Sequence, residues 1–132
     1  MWLLDTNAWI AFLNPGESPV KARIGQEAPG SIWLCDIVKA ELYYGAFKSQ
    51  RRESNLALLD ELFSLFASLG FDGEAARHFG RVRAELARKG KPIGPYDMQI
   101  AAIALAHGLT LVTHNTSEFG RIDGLRLEDW ED

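Results

Sequence analysis

Residues 97–119, DMQIAAIALAHGLTLVTHNTSEF, decide the fold of this chain. The first half is apolar almost throughout and ends at Gly108, a residue type that favours the left-handed cap at the end of a helix. A helix this apolar must be buried, so we expect it to pack against a sheet. Residues 109–113 are predicted to form the next strand, and residues 115–118 the polar turn that follows it.

The same alternation of strand and helix extends along the rest of the chain. Residues 2–4 are a short apolar run, and the helix after them ends at residues 14–16, Asn-Pro-Gly. Strands alternating with helices indicate an α/β fold with a mostly parallel sheet and helices on both faces. The other predicted elements are strands at residues 31–35 and 125–127, helices at residues 18–27, 55–69 and 73–88, and a helix capped by Asp36 that ends before Lys48.

Length and composition indicate one domain. With 132 residues, 47% of them hydrophobic, the chain can bury one sizeable core, so we expect a single domain across residues 1–132. No apolar stretch approaches the roughly 20 residues of a spanning helix, and an acid follows the first four residues, so we expect a cytoplasmic protein without a membrane segment. Cys35 is the only cysteine, which excludes a disulfide framework and a cysteine zinc site.

Four acidic residues lie far apart in sequence, yet each falls near the end of a predicted strand or the start of a helix: Asp5, Glu41, Asp97 and Glu118. The carboxyl ends of parallel strands meet at one edge of a sheet, where open α/β folds place their active sites. Carboxylates gathered there repel each other unless a cation lies between them. Hard oxygen ligands without clustered histidines or cysteines favour Mg²⁺ or Mn²⁺ over zinc.

Each acid also has a purely structural interpretation. Asp5 and Asp97 are both placed to cap helices, and a basic residue near Glu41 would satisfy that acid in its apolar stripe. Glu118 alone reads as a solvated loop acid. Beside these acids lie small polar residues that either orient carboxylates and water or only make turn hydrogen bonds, namely Thr6, Asn7, Thr113 and Asn115.

The net charge of −4 does not exclude a nucleic-acid partner. Four of the 18 acidic residues lie in the last five positions, and four more are the candidate site. Without these eight, 10 acidic residues remain against 14 basic ones, a balance that permits phosphate binding. Two basic patches are candidates for RNA contact or for an ordinary solvated surface, one at Arg77, Arg81 and Arg88 on a helical face and one at Lys48, Arg51 and Arg52.

The ordered set of motifs resembles a known family. Leu-Leu-Asp5-Thr6-Asn7, Glu41-Leu42 followed by Gly45, Asp97 at the head of an apolar helix, and residues 113–119, THNTSEF, are similar to a PIN-domain ribonuclease. The length and the tail at residues 124–130, GLRLEDW, resemble the VapC toxins of bacterial toxin–antitoxin pairs. The likeness extends over essentially the whole chain.

This resemblance implies a three-layer α/β/α fold and a Mg²⁺- or Mn²⁺-dependent endoribonuclease in which Asp5, Glu41, Asp97 and Glu118 hold the metal. The family often has Asp at the fourth position, so Glu118 is a departure whose longer side chain binds directly or through water. The resemblance also implies a homodimer, inhibition by a cognate antitoxin of the VapB type, and an RNA substrate. The tail is similar to that of toxins that cleave initiator tRNA in the anticodon stem-loop.

Two other functions are compatible with the residues. A metal-dependent phosphatase or phospho-acceptor domain would use Asp5 as a nucleophile, although Asn7 stands where the haloacid dehalogenase type has a second catalytic Asp. A non-catalytic RNA- or protein-binding module would retain the acids only for structure. The helices around residues 37–69 carry five aromatic side chains, some of which we expect to face another chain: Tyr43, Tyr44, Phe47, Phe63 and Phe66.

Overall fold

Five short strands and seven helices alternate in a computed structural model that describes residues 1–131. The strands are β1 (Trp2–Leu4), β2 (Ile32–Cys35), β3 (Ser68–Leu69), β4 (Thr110–Val112) and β5 (Leu127–Glu128). The helices are α1 (Thr6–Leu13), α2 (Pro19–Gln26), α3 (Asp36–Lys48), α4 (Arg52–Leu65), α5 (Gly73–Lys89), α6 (Pro95–His107) and α7 (Thr116–Phe119). A short 3-10 helix, Pro29–Ser31, precedes β2.

The strands form one sheet in the order β3-β2-β1-β4-β5, and every neighbouring pair is parallel. Successive residues of a strand point to opposite faces of its sheet. In β1, Leu3 and Leu4 are both fully buried, and in β4, Leu111 and Val112 are both buried, so helices cover the two faces. The predicted α/β architecture with a parallel central sheet is therefore confirmed.

The stretch at residues 97–119 folds as its sequence predicts except after β4, where the predicted polar turn at residues 115–118 is wrong because Thr116–Phe119 form the short helix α7. Residues 100–104 of α6 are completely buried, as expected for a helix that is apolar on every side. Gly108 ends this helix with a φ of 64°, a left-handed conformation that glycine adopts without a steric cost. β4 follows directly and pairs with β1 through Leu4 and Val112. This parallel pairing places the residues that follow β4 at the same edge of the sheet as the residues that follow β1.

The helix predicted at residues 55–69 is partly wrong. α4 begins earlier, at Arg52, and ends at Leu65, and residues Ser68–Leu69 form the edge strand β3 instead. The Leu34 amide donates to the Ala67 carbonyl at 2.8 Å, so pairing with β2 overrides the helical spacing of the apolar residues. The predicted cap at Asp36 is also wrong, because Cys35 is the N-cap and Asp36 is the first helical residue.

The carboxyl-terminal segment packs onto the sheet rather than extending as an acidic tail. Trp130 is only 5% exposed, and the Arg23 guanidinium lies 4.6 Å from its ring centre and 5.4 Å from that of Trp2. Both indole nitrogens donate to Glu128 at 3.0 Å. Both hydrogen bonds lower the pKa of Glu128, and the bond from Trp130 has the larger effect. Burial acts in the opposite direction and raises this pKa. Residues 128–131 are thereby held beside the end of β4.

None of the helices within residues 1–131 combines the length and the apolar composition needed to cross a lipid bilayer.

Candidate active site

Asp5 lies where β1 passes into α1, and it is only 6% exposed. Its Oδ1 accepts a hydrogen bond from the Ala8 amide at 2.9 Å, so the predicted capping role is present. Burial raises the pKa of the carboxyl group, the Thr113 hydroxyl and Ala8 amide oppose this, and the negative charges of Glu131 and Glu41 add to it. Asp5 is therefore both a helix cap and one member of a group of neighbouring carboxylates.

Asp97 is the third residue of α6, after Pro95, and Gly94 occupies the N-cap. The alternative that Asp97 only caps this helix is therefore wrong. Its pKa is raised to about 6, first by burial and then by the negative charges of Glu41, Asp5 and Glu118. Three of the predicted acids are thus near enough to act on the fourth, Asp97, although the four come from separate elements.

Hydrogen bonds orient two of the other carboxylates. The Thr6 hydroxyl donates to Glu41 Oε1 at 2.7 Å, which joins α1 to α3. The Asn115 side-chain amide donates to Glu118 Oε2 at 2.7 Å. Thr6 and Asn115 therefore have the carboxylate-orienting contacts that one interpretation of the sequence predicts.

Thr113 and Asn7 behave differently from each other. Thr113 is 1% exposed, and its hydroxyl both lies beside Asp5 and accepts the Asn115 amide at 3.0 Å. Both interpretations of Thr113, carboxylate contact and turn bond, therefore apply. Asn7 is exposed, makes no side-chain hydrogen bond within residues 1–131, and lines an open cavity with Thr6 and Glu41.

The described part of the chain places no cationic partner on these acids. None of Asp5, Glu41, Asp97 and Glu118 forms an ion pair with a lysine, arginine or histidine among residues 1–131. The salt bridge considered for Glu41 is therefore not found there. Four carboxylates with only oxygen donors fit a hard divalent cation such as Mg²⁺ or Mn²⁺.

The spacing of the acids bears on how a cation would be held. Among residues 1–131, one group of three ligand side chains has all its ligand atoms within 4.8 Å of one another, and it consists of His114, Asp129 and Glu131. The four predicted acids do not provide three ligand atoms as close as this. Mg²⁺ commonly retains several water ligands, so wider carboxylate spacing is compatible with it. Asp5, Glu41, Asp97 and Glu118 would then hold the ion partly through water.

Two acids near the site were not predicted. Glu131 acts on the pKa of Asp5, and Asp129 Oδ2 lies 2.9 Å from His114 Nδ1. In the sequence, both belong to the run of acidic residues at positions 128–132. Both acids reach the site because Val112 pairs with Glu128 in parallel, which places residue 129 next to residue 113 at the same edge of the sheet. The strand β5 is too short for this register to be predicted from the sequence.

The basic residues divide into near and distant groups. α5 and α6 are joined by five residues and pack against each other, so the Arg88 end of α5 lies towards Asp97. Arg77 is 11 residues earlier and therefore about 16 Å further along the helix. Arg81 is 3.4 Å from Glu85, which partly neutralises it. The predicted stripe of three arginines is thus not a single patch beside the acids.

The second basic patch is also divided. Lys48 lines the same cavity as Glu41. Arg52 donates through Nε to the Phe47 carbonyl at 2.9 Å, while Arg51 is exposed on the loop between α3 and α4. Lys48 is therefore the member of this patch that lies beside the acids.

In the absence of metal, we expect the protein to lose stability as the pH rises from about 4 to about 6. The raised pKa of Asp97 means that the folded state binds this proton more tightly than the unfolded state, whose pKa is 3.8. Stability from this group is thus complete below pH 3.8 and lost as the pH passes about 6. Melting temperatures in chelator should show the decrease, and saturating Mg²⁺ should reverse it at pH 7 but have little effect at pH 4.5. An equal effect of Mg²⁺ at both pH values would contradict this linkage.

Comparison with known proteins identifies several similar chains. The PIN domain family matches residues 2–125. The tRNA(fMet)-specific endonuclease VapC of Shigella flexneri is 43% identical over 129 residues, which cover 98% of this chain and 97% of the relative. Ribonuclease VapC2 of Haemophilus influenzae is 40% identical over the same share of each chain. The crystal structure of DNA-bound VapBC from Salmonella typhimurium contains a chain that matches with a TM-score of 0.92 and 43% identity, over 98% of this chain and 97% of that one.

Proposed function

Since this chain belongs to the PIN-domain family and within it to the VapC ribonucleases, we propose that it is a divalent-metal-dependent endoribonuclease, the toxin of a toxin–antitoxin pair. The observation that carries this proposal is the environment of Asp97, whose pKa is raised to about 6 by burial and by three surrounding carboxylates. Such a concentration of negative charge without a described cationic partner is costly for the fold alone. It is useful for binding a cation that activates water.

The residues of the site provide fixed positions for the reaction. When bound, Mg²⁺ or Mn²⁺ lowers the pKa of a water molecule and offsets charge on the phosphate. Asp5 is fixed by Ala8, Glu41 by Thr6 and Glu118 by Asn115, so these carboxylates need little reorganisation. The hydrolysis is an in-line attack of water oxygen on phosphorus, which breaks one phosphorus–oxygen bond of the RNA backbone.

Initiator tRNA is the proposed substrate, cleaved in the anticodon stem-loop. The support is the tRNA(fMet)-specific endonuclease that is 43% identical to this chain. Purified protein should cleave tRNA with Mg²⁺ or Mn²⁺, chelator should stop the reaction, and sequencing of the new RNA ends should locate the cut. Binding of RNA without cleavage or metal affinity would instead favour the non-catalytic module, and a phosphoryl group trapped on Asp5 would favour the phospho-acceptor alternative.

We further propose that an antitoxin of the VapB type covers an apolar groove on α1, α3 and α4. A cavity of about 400 Å³ lies there, and its apolar lining includes Ile10, Leu13, Leu42, Leu58 and Leu59. Leu58 is 45% exposed, more than expected for a leucine that serves only the core. The solved VapBC complexes of relatives support a protein partner of this kind.

Replacing Leu58 by Glu should therefore weaken antitoxin binding without unfolding the protein. A carboxylate in this groove would lose its hydration on complex formation, which we expect to cost about 2–4 kcal/mol, or roughly 30- to 1,000-fold in affinity. Isothermal titration with the cognate antitoxin would measure the change. Leu65→Glu is the matched control, because Leu65 is 63% exposed on the same helix and lines neither this cavity nor the one beside Glu41. Equal loss in both variants would argue against the groove.

The homodimer remains a prediction. Some of five aromatic residues were expected to face the other chain, and of these Tyr43 packs on Phe63 and Phe66 packs on Trp9. Tyr44 and Phe47 are 66% and 52% exposed. A mass measurement in solution at micromolar concentration tests the dimer, and a monomeric mass would exclude it.

A further inference from the structure

An open cavity lies directly beside Glu41, and two exposed tyrosines stand at its rim. It has a volume of about 720 Å³, which is in the range of small-ligand sites. Tyr44 follows Glu41 by almost one turn of α3, and Tyr96 immediately precedes Asp97 on α6. Their side chains are 66% and 59% exposed. The cavity therefore has two aromatic rings and one of the four carboxylates, Glu41, in its lining, and Asp97 directly follows the lining residue Tyr96 in the chain.

Neither tyrosine contributes to the internal structure as its neighbour Tyr43 does. The ring of Tyr43 packs 5.2 Å from that of Phe63, and its hydroxyl donates to Asp60 at 3.0 Å. Within residues 1–131, the hydroxyls of Tyr44 and Tyr96 make no hydrogen bond and their rings contact no other aromatic ring. Their exposed apolar surface is left without a structural role.

Lys48 adds positive charge to this cavity. Among residues 1–131 it is the only basic residue in the lining of the cavity, and its ammonium group lies 4.8 Å from the centre of the Tyr44 ring. Glu41 is the acidic residue among the lining side chains, and Asp97 follows Tyr96 directly in the chain. A polyanion that approached this edge would therefore find its nearest cationic side chain beside an exposed aromatic face.

We propose that this cavity receives one unstacked nucleotide of the RNA, with its base on the rings of Tyr44 and Tyr96 and its phosphate near Lys48. The inference rests on the proposed ribonuclease function and deepens it by naming the residues that hold one base of the substrate. Bases in single-stranded loops can be splayed out onto aromatic side chains, whereas bases within an A-form helix are stacked on each other. A base held here leaves its backbone next to Glu41, which lines the same cavity.

The sequence contains no signal of this site, because each tyrosine is isolated in its own helix. Residues 44 and 96 are 52 positions apart, and only the packing of α3 against α6 places them on one cavity. The surface is formed by helices rather than by the strand platform of common single-strand binding domains. Stacking on it should tolerate different bases, since every base presents a π-face.

The proposal can be tested by binding of an RNA hairpin that carries 2-aminopurine in a single-stranded loop. With the full chain and Ca²⁺, we expect stacking to quench the fluorescence of the probe. Tyr44→Leu and Tyr96→Leu should each reduce the quenching and weaken affinity about 5- to 150-fold, which corresponds to ~1–3 kcal/mol per stacked base. Tyr44→Phe and Tyr96→Phe keep the ring and should bind like the original protein.

Controls separate this site from general surface effects. Phe47→Leu alters an exposed aromatic residue of the same helix that does not line the cavity, so it should leave binding unchanged. A fully paired RNA duplex should bind equally to all variants. If both leucine variants bind the hairpin and cleave RNA as well as the original chain, the proposal is overturned while the ribonuclease function stands.

Two further outcomes would also overturn the proposal. If the leucine variants lose affinity for the antitoxin but retain RNA binding and quenching, the cavity belongs to a protein interface. If the original chain neither binds nor cleaves RNA with Mg²⁺ or Mn²⁺, the ribonuclease function fails and the nucleotide site fails with it.

Discussion

Replacement of Asp97 by Asn is expected to lower RNA cleavage about 10³-fold. Metal assistance in phosphoryl chemistry supplies several kcal/mol of transition-state stabilisation, and each 1.36 kcal/mol corresponds to a factor of ten in rate. The amide keeps the size of the side chain but removes the negative charge on which the other three carboxylates act. The value of kcat/KM for tRNA in Mg²⁺ measures this effect.

The same replacement should stabilise the metal-free protein at neutral pH. The pKa of Asp97 is raised to about 6, so ionisation at pH 7 opposes folding. Asn avoids this penalty, which we place at about 1–2 kcal/mol after allowing for partial solvent screening, and the melting temperature in chelator should rise by roughly 3–10 °C. Lower activity combined with higher stability distinguishes a functional acid from a structural one.

Asp123→Asn is the matched control for both measurements. The Asp123 side chain is 75% exposed and lies 3.5 Å from Lys89, a surface ion pair of small expected energy. Its replacement should leave cleavage unchanged and alter stability by less than about 0.5 kcal/mol. Undiminished cleavage by Asp97→Asn would remove Asp97 from the site.

The largest effect on stability is expected from Trp9→Ala, at about 3–5 kcal/mol. Trp9 is completely buried, and its ring centre lies 5.0 Å from that of Phe66 and 5.9 Å from that of Phe12. Removal of the indole leaves a cavity beneath α1, whose first turn is joined to Asp5 by the Trp9 amide at 3.2 Å. Since many domains are stable by only about 5–15 kcal/mol, denaturant unfolding should show a large decrease.

Trp9→Phe provides the comparison that identifies packing as the cause. The indole Nε1 of Trp9 is buried and makes no hydrogen bond within residues 1–131, so replacement by Phe removes a buried donor while keeping an aromatic ring. We expect this variant to lose less than half as much stability as Trp9→Ala. A loss below about 1 kcal/mol for Trp9→Ala would show that α1 is not anchored by this ring.

Several features could be predicted because they depend on neighbouring residues. The apolar run before Gly108 indicated both the burial of α6 and its left-handed end, and Asp5 occupied the capping position that its side chain favours. The predicted strand at residues 2–4 is confirmed with the same bounds. By contrast, β3 was read as helix because Leu65 and Leu69 continue the spacing of α4, while pairing with Leu34 and Cys35 is invisible in that spacing.

The candidate site shows the same division. Four acids at the ends of elements were recognisable one at a time, and their order carried the family resemblance. Their mutual influence on the pKa of Asp97, the bond from Thr6 to Glu41, and the presence of Glu131 beside Asp5 required the fold. The dispersed positions of Arg77 and Arg88 relative to Asp97 likewise depended on the antiparallel packing of α5 and α6.

The sequence alone was sufficient for the class of fold and the buried helix α6 and for the choice of the four acids as candidates, because periodicity, caps and burial are properties of short segments. Only the tertiary structure decided which carboxylates act on the pKa of Asp97. It also decided that Arg23 and Glu128 hold the tail and that Tyr44 and Tyr96 border one cavity. The bond from Thr6 to Glu41 joins residues 35 positions apart, and the bond from Trp2 to Glu128 joins residues 126 positions apart. Such pairings arise when the packing of helices on a parallel sheet brings distant segments together. The residue pattern within one segment does not predict them.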